Sequence, residues 1–298
     1  MEMISPRVDI AFKKIFGVEE NKDLLISLIN SIVSKDDQVV DVTLLNPYNA
    51  QNFRNDKLSV LDIKAMGHHG KRFNIEIQIS DDADYDKRAL YYWAKLYTEQ
   101  LKASEGYALL SKAIGIHILN FTSILGVANY HNVFHVKEKD SGAHYFKDLE
   151  LHTIELKKFS ADGREELADV VAKVKTSLDM WVAFITRHEL MNKNSLPSTL
   201  DNPALKKALN VIDVMNFGTE EREAYEDHLK WLRMEESTLK KSETKGFEKG
   251  LKKGLKEKEA AVKKEKIAMA KSMLSKGIAI DMVIDITKLS QEEIGAVG

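Results

Sequence analysis

The segment Arg72–Ser80, read RFNIEIQIS, constrains this chain more than any other. Phe73, Ile75, Ile77 and Ile79 share one face, and Asn74, Glu76, Gln78 and Ser80 the other, which is the two-residue period of a half-buried strand. The preceding KLSVLDIKA (Lys57–Ala65) reads as its antiparallel partner, with the polar Gly67-His68-His69-Gly70 between them. A one-residue slip in such a pair would send every side chain to the opposite face, so the loop fixes what faces what. With His68, His69 and Gly70 as a three-residue turn, Gly67 opposes Lys71 and Asp62 opposes Glu76.

Cross-strand partners on one face hold their Cβ atoms about 4.5 to 5.5 Å apart, and two carboxylates at that spacing repel unless something neutralises them. A divalent cation does so. Mg²⁺ is commonly held by one or two carboxylates while water and phosphate oxygens fill its other positions, an arrangement suited to phosphodiester cleavage. Gln78 projects from the same face as Glu76. The spacing by itself is also that of an ordinary solvated strand face that includes Asn74, Ser80 and Lys64. Against it, Asp62 ends an apolar row of Leu58 and Val60, where an unpaired charge is costly. Other metal chemistries have less support. The chain has no cysteine, which excludes thiolate zinc and iron-sulfur sites, disulfides and a thiolate nucleophile. His68 and His69 lack a third ligand at usable spacing, and the Asp81–Asp86 acids lack the glycine and terminal glutamate of a calcium loop.

Around the hairpin, periodicity predicts a helix opened by Ser5-Pro6 and carrying Val8, Phe12, Ile15 and Phe16, then a second helix to about Val33. A strand is expected over Gln38–Leu45. A helix between Asp81 and Gly106 with a Leu90, Ala94, Tyr97, Leu101 stripe follows, then strands at AIGIHILNF, NVFHV and LELHTIEL. The order α-β-β-β-α-β with extra strands defines an α/β core. Strand signals end after Ser160, and the expected organisation is a core over 1–160, a helical region over 161–244 and a basic tail with short helices over 245–298. In that tail Gly246, Gly250 and Gly254 recur every four residues, which weakens a helix by about 1 kcal/mol each. Gly277 breaks the pattern, and Ser290-x-x-Glu293 forms a capping box.

The net charge of −2 is unevenly spread: Lys240–Lys266 carries +6, leaving −8 elsewhere, so any polyanion is steered by that basic stretch or by bound metal. No apolar run approaches the ~18 residues of a membrane span, and the N-terminus has no signal-peptide core, so the expected setting is cytoplasmic with no membrane partner.

The blocks SPRVDIAFKKIFG, LSVLDIKA, FNIEIQIS, RALYYWAKLY, IGIHILNF and LHTIELKKF, in this order over residues 4–160, resemble the recombination-promoting nuclease and putative transposase family of the PD-(D/E)XK nuclease superfamily. That resemblance implies a restriction-endonuclease-like core with a mixed sheet, followed by an all-helical C-terminal region. It implies a Mg²⁺-dependent (or Mn²⁺-dependent) DNA endonuclease associated with recombination or mobile elements. Asp62 and Glu76 would be the metal-binding carboxylates, and Gln78 would occupy the usual lysine position. On that basis Gln78→Lys is expected to keep or raise activity. Accessory positions are Asp9, which either completes the metal site or serves the helix dipole; Lys64, a migrated lysine or a surface one; and Arg88 and Tyr92, which face phosphate or pack on a helix surface. The alternative is a catalytically silent DNA-binding or interaction module, and the C-terminal helices are a candidate homo-oligomer contact.

Overall fold

A computed structural model of the chain describes residues 4–48, 62–81, 84–160 and 165–295. The Leu58 and Val60 row and Asp82 lie outside the described residues. The chain forms two compact units, residues 1–232 and 233–298.

In the first unit, α1 (Asp9–Phe16) and α2 (Lys22–Ile32) precede the strands β1 (Val42–Leu44), β2 (Ile63–Gly67) and β3 (Arg72–Gln78). After α3 (Tyr85–Thr98) come β4 (Ala113–Leu119), β5 (His131–His135) and β6 (Leu149–Glu155), then the short α4 (Leu156–Phe159). The six strands form one mixed sheet in the order β1-β2-β3-β4-β6-β5. The antiparallel β1-β2-β3 meander joins a parallel β3-β4-β6 centre, and β5 pairs antiparallel at the far edge. Adjacent parallel strands need a crossover, which α3 supplies between β3 and β4. The expected α-β-β-β-α-β order with two further strands is therefore the observed one.

The hairpin turns where the sequence places it. Gly67 N–H donates to the Lys71 carbonyl at 2.9 Å around His68-His69-Gly70, and Ile63 pairs with Ile75. His69 and Gly70 both have positive φ, 58° and 75°, the left-handed geometry such a tight loop demands.

Parallel pairing sorts the two faces. Phe73, Ile75 and Ile77 lie beside Ile114, Ile116 and Ile118 on the buried face, which α1, α2, α6 (Ser177–Arg187) and α7 (Pro203–Val214) cover in one apolar core. Phe12, Phe16 and Trp181 interlock there, with ring centroids 4.8 and 5.3 Å apart. Asn74, Glu76 and Gln78 lie beside Gly115, His117 and Leu119 on the other face. Asn74, Glu76 and His117 are buried there as well, so β3 is covered on both sides rather than half-buried as its alternation suggests. A Cβ at position 115 would stand 2.8 Å from Leu151 Cδ2 and 3.0 Å from His117 Nε2, so glycine there makes room for both side chains.

Three local expectations need correction. Ser5-Pro6 does not open α1: Val8 N–H donates to the Ser5 carbonyl in a separate turn, the Ser5 N–H donates to the Tyr225 hydroxyl at 2.8 Å, and the helix begins at Asp9. The first strand is Val42–Leu44 rather than Gln38–Leu45, because Lys35–Asp37 forms a 3₁₀ turn that delays pairing. In α3 the buried stripe is Tyr85, Ala89, Trp93 and Leu96, one residue out of phase with the expected one, and Leu90 is half exposed. Trp93 decides the phase by packing on the sheet and donating Nε1–H to the Ala113 carbonyl at 2.8 Å.

Beyond the sheet, the described chain is helical: α5 (Leu167–Lys173), α6, α7, α8 (Thr219–Ser275), α9 (Ile280–Thr287) and α10 (Gln291–Gly295). The part of α8 through Leu232 belongs to the first unit, where Glu221 takes Lys14 at 2.8 Å and the Tyr48 hydroxyl. The helix runs on through Gly246, Gly250 and Gly254, so the abundant Lys, Glu, Leu and Ala of this stretch outweigh the glycine penalty. In the second unit Ala270, Val283, Leu289 and Ile294 make a small core of their own. Gly277 turns the chain at φ 81°, and Ser290 and Glu293 bond reciprocally as the expected capping box. No helix among the described residues is long and apolar enough to cross a membrane.

Candidate active site

Continuing the observed register one residue beyond Ile63↔Ile75 brings Asp62 opposite Glu76 at the mouth of the hairpin. The main chain of Asp62 is clamped from two sides. Its carbonyl accepts from Lys13 Nζ at 2.7 Å and from Asn46 Nδ2 at 2.9 Å, and the same Asn46 amide accepts the Lys64 N–H at 2.7 Å. Asn46 thus imitates a neighbouring strand where β2 begins.

Asp9 arrives from the first turn of α1. Its Oδ2 lies 3.9 Å from His228 Nδ1, and its buried Oδ1 has no hydrogen-bond partner, as is also true of Glu76 Oε2. Burial first, and the negative Glu76 second, push the Asp9 carboxyl up to about 7. The same two causes in the same order raise Asp62, against the opposing pull of Lys13, Lys64 and Arg88. Burial and the neighbouring Glu76 charge thus disfavour ionisation of Asp9 and Asp62, and one oxygen each of Asp9 and Glu76 is left without a hydrogen-bond partner.

The oxygen-only donor set of Asp62 and Glu76, with Asp9 beside them, fits a hard divalent cation such as Mg²⁺ or Mn²⁺. No three His, Asp or Glu side chains among the described residues converge closely enough to chelate an ion by themselves. A cation here would therefore rest on the carboxylate pair and take its remaining ligands from solvent and substrate, as Mg²⁺ usually does.

Gln78 is held at both ends of its amide. Nε2 donates to Ser80 Oγ at 3.0 Å, and Oε1 accepts from Arg88 Nη2 at 2.6 Å. Arg88 also reaches Glu76 Oε1 at 3.4 Å, and its guanidinium lies 5.0 Å from the Tyr85 ring centroid. Helix-surface packing is thus not its main role. Tyr85 in turn meets His117 Nδ1 through its hydroxyl at 2.9 Å, and that nitrogen is 3.8 Å from Glu76 Oε2.

Two accessory expectations fare differently. Lys64 lies 3.9 Å from Glu99, the residue that caps α3, and its charge also acts on Asp62. Tyr92 packs edge-on against Tyr91, with ring centroids 5.7 Å apart. Glu155, at the end of β6, accepts the Ser123 and Ile124 N–H groups and Lys158, which makes it a loop brace.

Sequence reasoning missed Lys13, His117 and Tyr85. Lys13 is 1% exposed, and burial lowers its ammonium to about 8. The available signal was the i, i+4 spacing of Asp9 and Lys13, which puts both on one helix face, but that spacing ordinarily marks a surface ion pair. His117 had a fainter signal, an imidazole within the Ile114-Ile116-Ile118 alternation. Its neighbour Glu76 is known only once β3 and β4 pair.

A family model of PD-(D/E)XK nuclease family transposases matches residues 6–242, four-fifths of the chain and the whole of this site. The chain belongs to that family. Its mixed sheet with flanking helices is the α/β fold of PD-(D/E)XK proteins, and a nuclease- or transposase-like function follows for the family as a whole. No curated protein and no solved structure among those compared matches the chain significantly.

Proposed function

We propose that this protein is a DNA endonuclease dependent on Mg²⁺, with Mn²⁺ as a substitute, that acts in recombination or on mobile elements. Asp62 and Glu76 hold the cation, and Asp9 supports them from α1. The observation that carries this reading is the hairpin register, which, continued one residue beyond Ile63↔Ile75, supports Asp62 opposite Glu76; Glu76 Oε2 and Asp9 Oδ1 are buried and without hydrogen-bond partners.

A divalent cation bound there supplies Lewis-acid stabilisation of charge on phosphate and lowers the pKa of its water. The chain's own groups do the rest. Lys13 and Asn46 fix the main chain from which Asp62 projects. Tyr85 and His117 back the inner side of Glu76, and Gln78 with Arg88 borders its outer side. A carboxylate pair held this way is preorganised, so its charge needs no rearrangement at the moment of reaction. The family membership supports DNA as the substrate, and the basic Lys240–Lys266 stretch supplies positive charge to approach it.

Supercoiled plasmid incubated with purified full-length protein tests this. Nicking or linearisation with Mg²⁺ or Mn²⁺, abolished by EDTA, is expected. Stable DNA binding with no cleavage under either metal would favour the catalytically silent module instead.

A further inference from the structure

Attack on a phosphodiester piles negative charge on the non-bridging oxygens, and a site that accelerates it keeps a cation within reach beyond any metal. Three cationic side chains act on Asp62: Lys13, Lys64 and Arg88. Geometry separates them. Lys13 is 1% exposed and spends its ammonium on the Asp62 carbonyl, so substrate has no access to it. Among the described residues Lys64 has Glu99 at 3.9 Å and no hydrogen bond to Glu76 or Gln78, whereas Arg88 meets both. Arg88 is one-third exposed in the first turn of α3, and its guanidinium touches both polar residues that follow one another on the site face of β3.

That guanidinium is placed by other side chains. Ser80 takes the Nε2 end of Gln78 through Oγ at 3.0 Å and its carbonyl at 3.3 Å, which leaves Oε1 aimed at Arg88 Nη2. Below it lies the Tyr85 ring, itself tied to His117. An amide carries no charge of its own, but its oxygen is a strong acceptor for a guanidinium. A planar guanidinium with several donors is suited to spanning two phosphate oxygens.

We propose that Arg88 contacts the scissile phosphate of a bound polynucleotide and neutralises the charge that develops on it, with Gln78 as the residue that positions it. This inference rests on the nuclease reading above and adds to it the source of the non-metal charge. It also reverses the expectation from sequence alone for Gln78→Lys. An ammonium at position 78 would stand within hydrogen-bond distance of a guanidinium already there, and like charges so close repel. Lysine should help at this position only when Arg88 is gone.

The test is a cycle of full-length variants: Arg88→Met, Gln78→Lys, the two combined, and Arg88→Lys with and without Gln78→Lys. Plasmid cleavage is followed in Mg²⁺ and Mn²⁺, affinity for duplex DNA in Ca²⁺, and folding by thermal melting. Arg88→Met should cut cleavage about a hundredfold or more and weaken the Ca²⁺ complex. Gln78→Lys should lower cleavage beside Arg88 yet raise it at least tenfold in the Arg88→Met background. The proposal is overturned if Gln78→Lys has the same sign in both backgrounds, or if Arg88→Met behaves as wild type in both assays. Should Arg88→Met fail to fold, Arg88→Lys keeps the cycle readable: Gln78→Lys must be harmful beside it, and a benefit there overturns the proposal. Absence of cleavage by the wild type in both metals would refute the hydrolytic reading alone. The DNA-affinity cycle then decides Arg88 separately, its reversal of sign sustaining the phosphate contact and a uniform sign ending it.

Discussion

Lys13→Met should stabilise the metal-free protein while impairing its function. Lys13 ionises near 8 rather than at the ordinary 10.5, chiefly because burial disfavours its charge. Since the folded value lies below the unfolded one, the lysine is charged in both states at pH 7, and holding it buried costs the folded state about 3 kcal/mol. Methionine fills similar space without the charge. It forfeits a hydrogen bond to the Asp62 carbonyl worth about 1 kcal/mol, and that carbonyl keeps Asn46 Nδ2 at 2.9 Å. The net gain at pH 7 is about 2 kcal/mol. Between pH 8 and 10.5 the folded lysine loses its proton while the unfolded one retains it, so wild-type stability climbs and the advantage of methionine should disappear by pH 10.5. Urea denaturation in EDTA at pH 7 and pH 10.5 measures both quantities. A destabilised variant at pH 7, or an equal difference at the two pH values, would refute the reasoning. Cleavage should fall at least tenfold, because the start of β2 loses one of its two clamps.

Two further outcomes follow from charge. Asp9 is raised to about 7 and Asp62 is raised with it, so divalent-cation binding near pH 6.5 should release protons and tighten as pH rises through 7. Calorimetry in two buffers of different ionisation heat detects the release, and binding with no proton release at pH 6.5 counts against the carboxylate cluster. In the basic stretch, replacing the exposed Lys252, Lys253, Lys256 and Lys258 by Gln should flatten the salt dependence of DNA binding by about 0.9 for each phosphate that is no longer neutralised. An unchanged slope with an altered solution mass would make that stretch an assembly element.

The carboxylate pair was legible because a hairpin is a local object: a three-residue loop determines which residues oppose one another by counting alone. The mixed α/β order was legible for the same reason, since each strand announces its own period. What the sequence hid depends on docking between distant elements. Arg88 reaches Gln78 only because Tyr85 and Trp93 set the phase of α3 against the sheet, and an aromatic-rich helix allows several phases. Lys64 alternates onto the Asp62 face, which left it open as a migrated lysine or a surface one, and its contact with Glu99, 35 residues on, exists only once α3 has docked. Lys13 resembled half of a surface pair until α1 was buried against β2. In α8 the glycine penalties and the favourable Lys, Glu, Leu and Ala were both visible, and only their balance, one unbroken helix of 57 residues, was not.

The central claim is that Asp62 and Glu76 together hold a catalytic divalent cation. Isosteric removal of one charge, Glu76→Gln, with Mn²⁺ affinity and plasmid cleavage followed on the same folded preparation, tests it most directly. Loss of the tight Mn²⁺ site together with at least a hundredfold loss of cleavage is the expected result. Wild-type Mn²⁺ affinity and wild-type cleavage in a folded Glu76→Gln protein would contradict it.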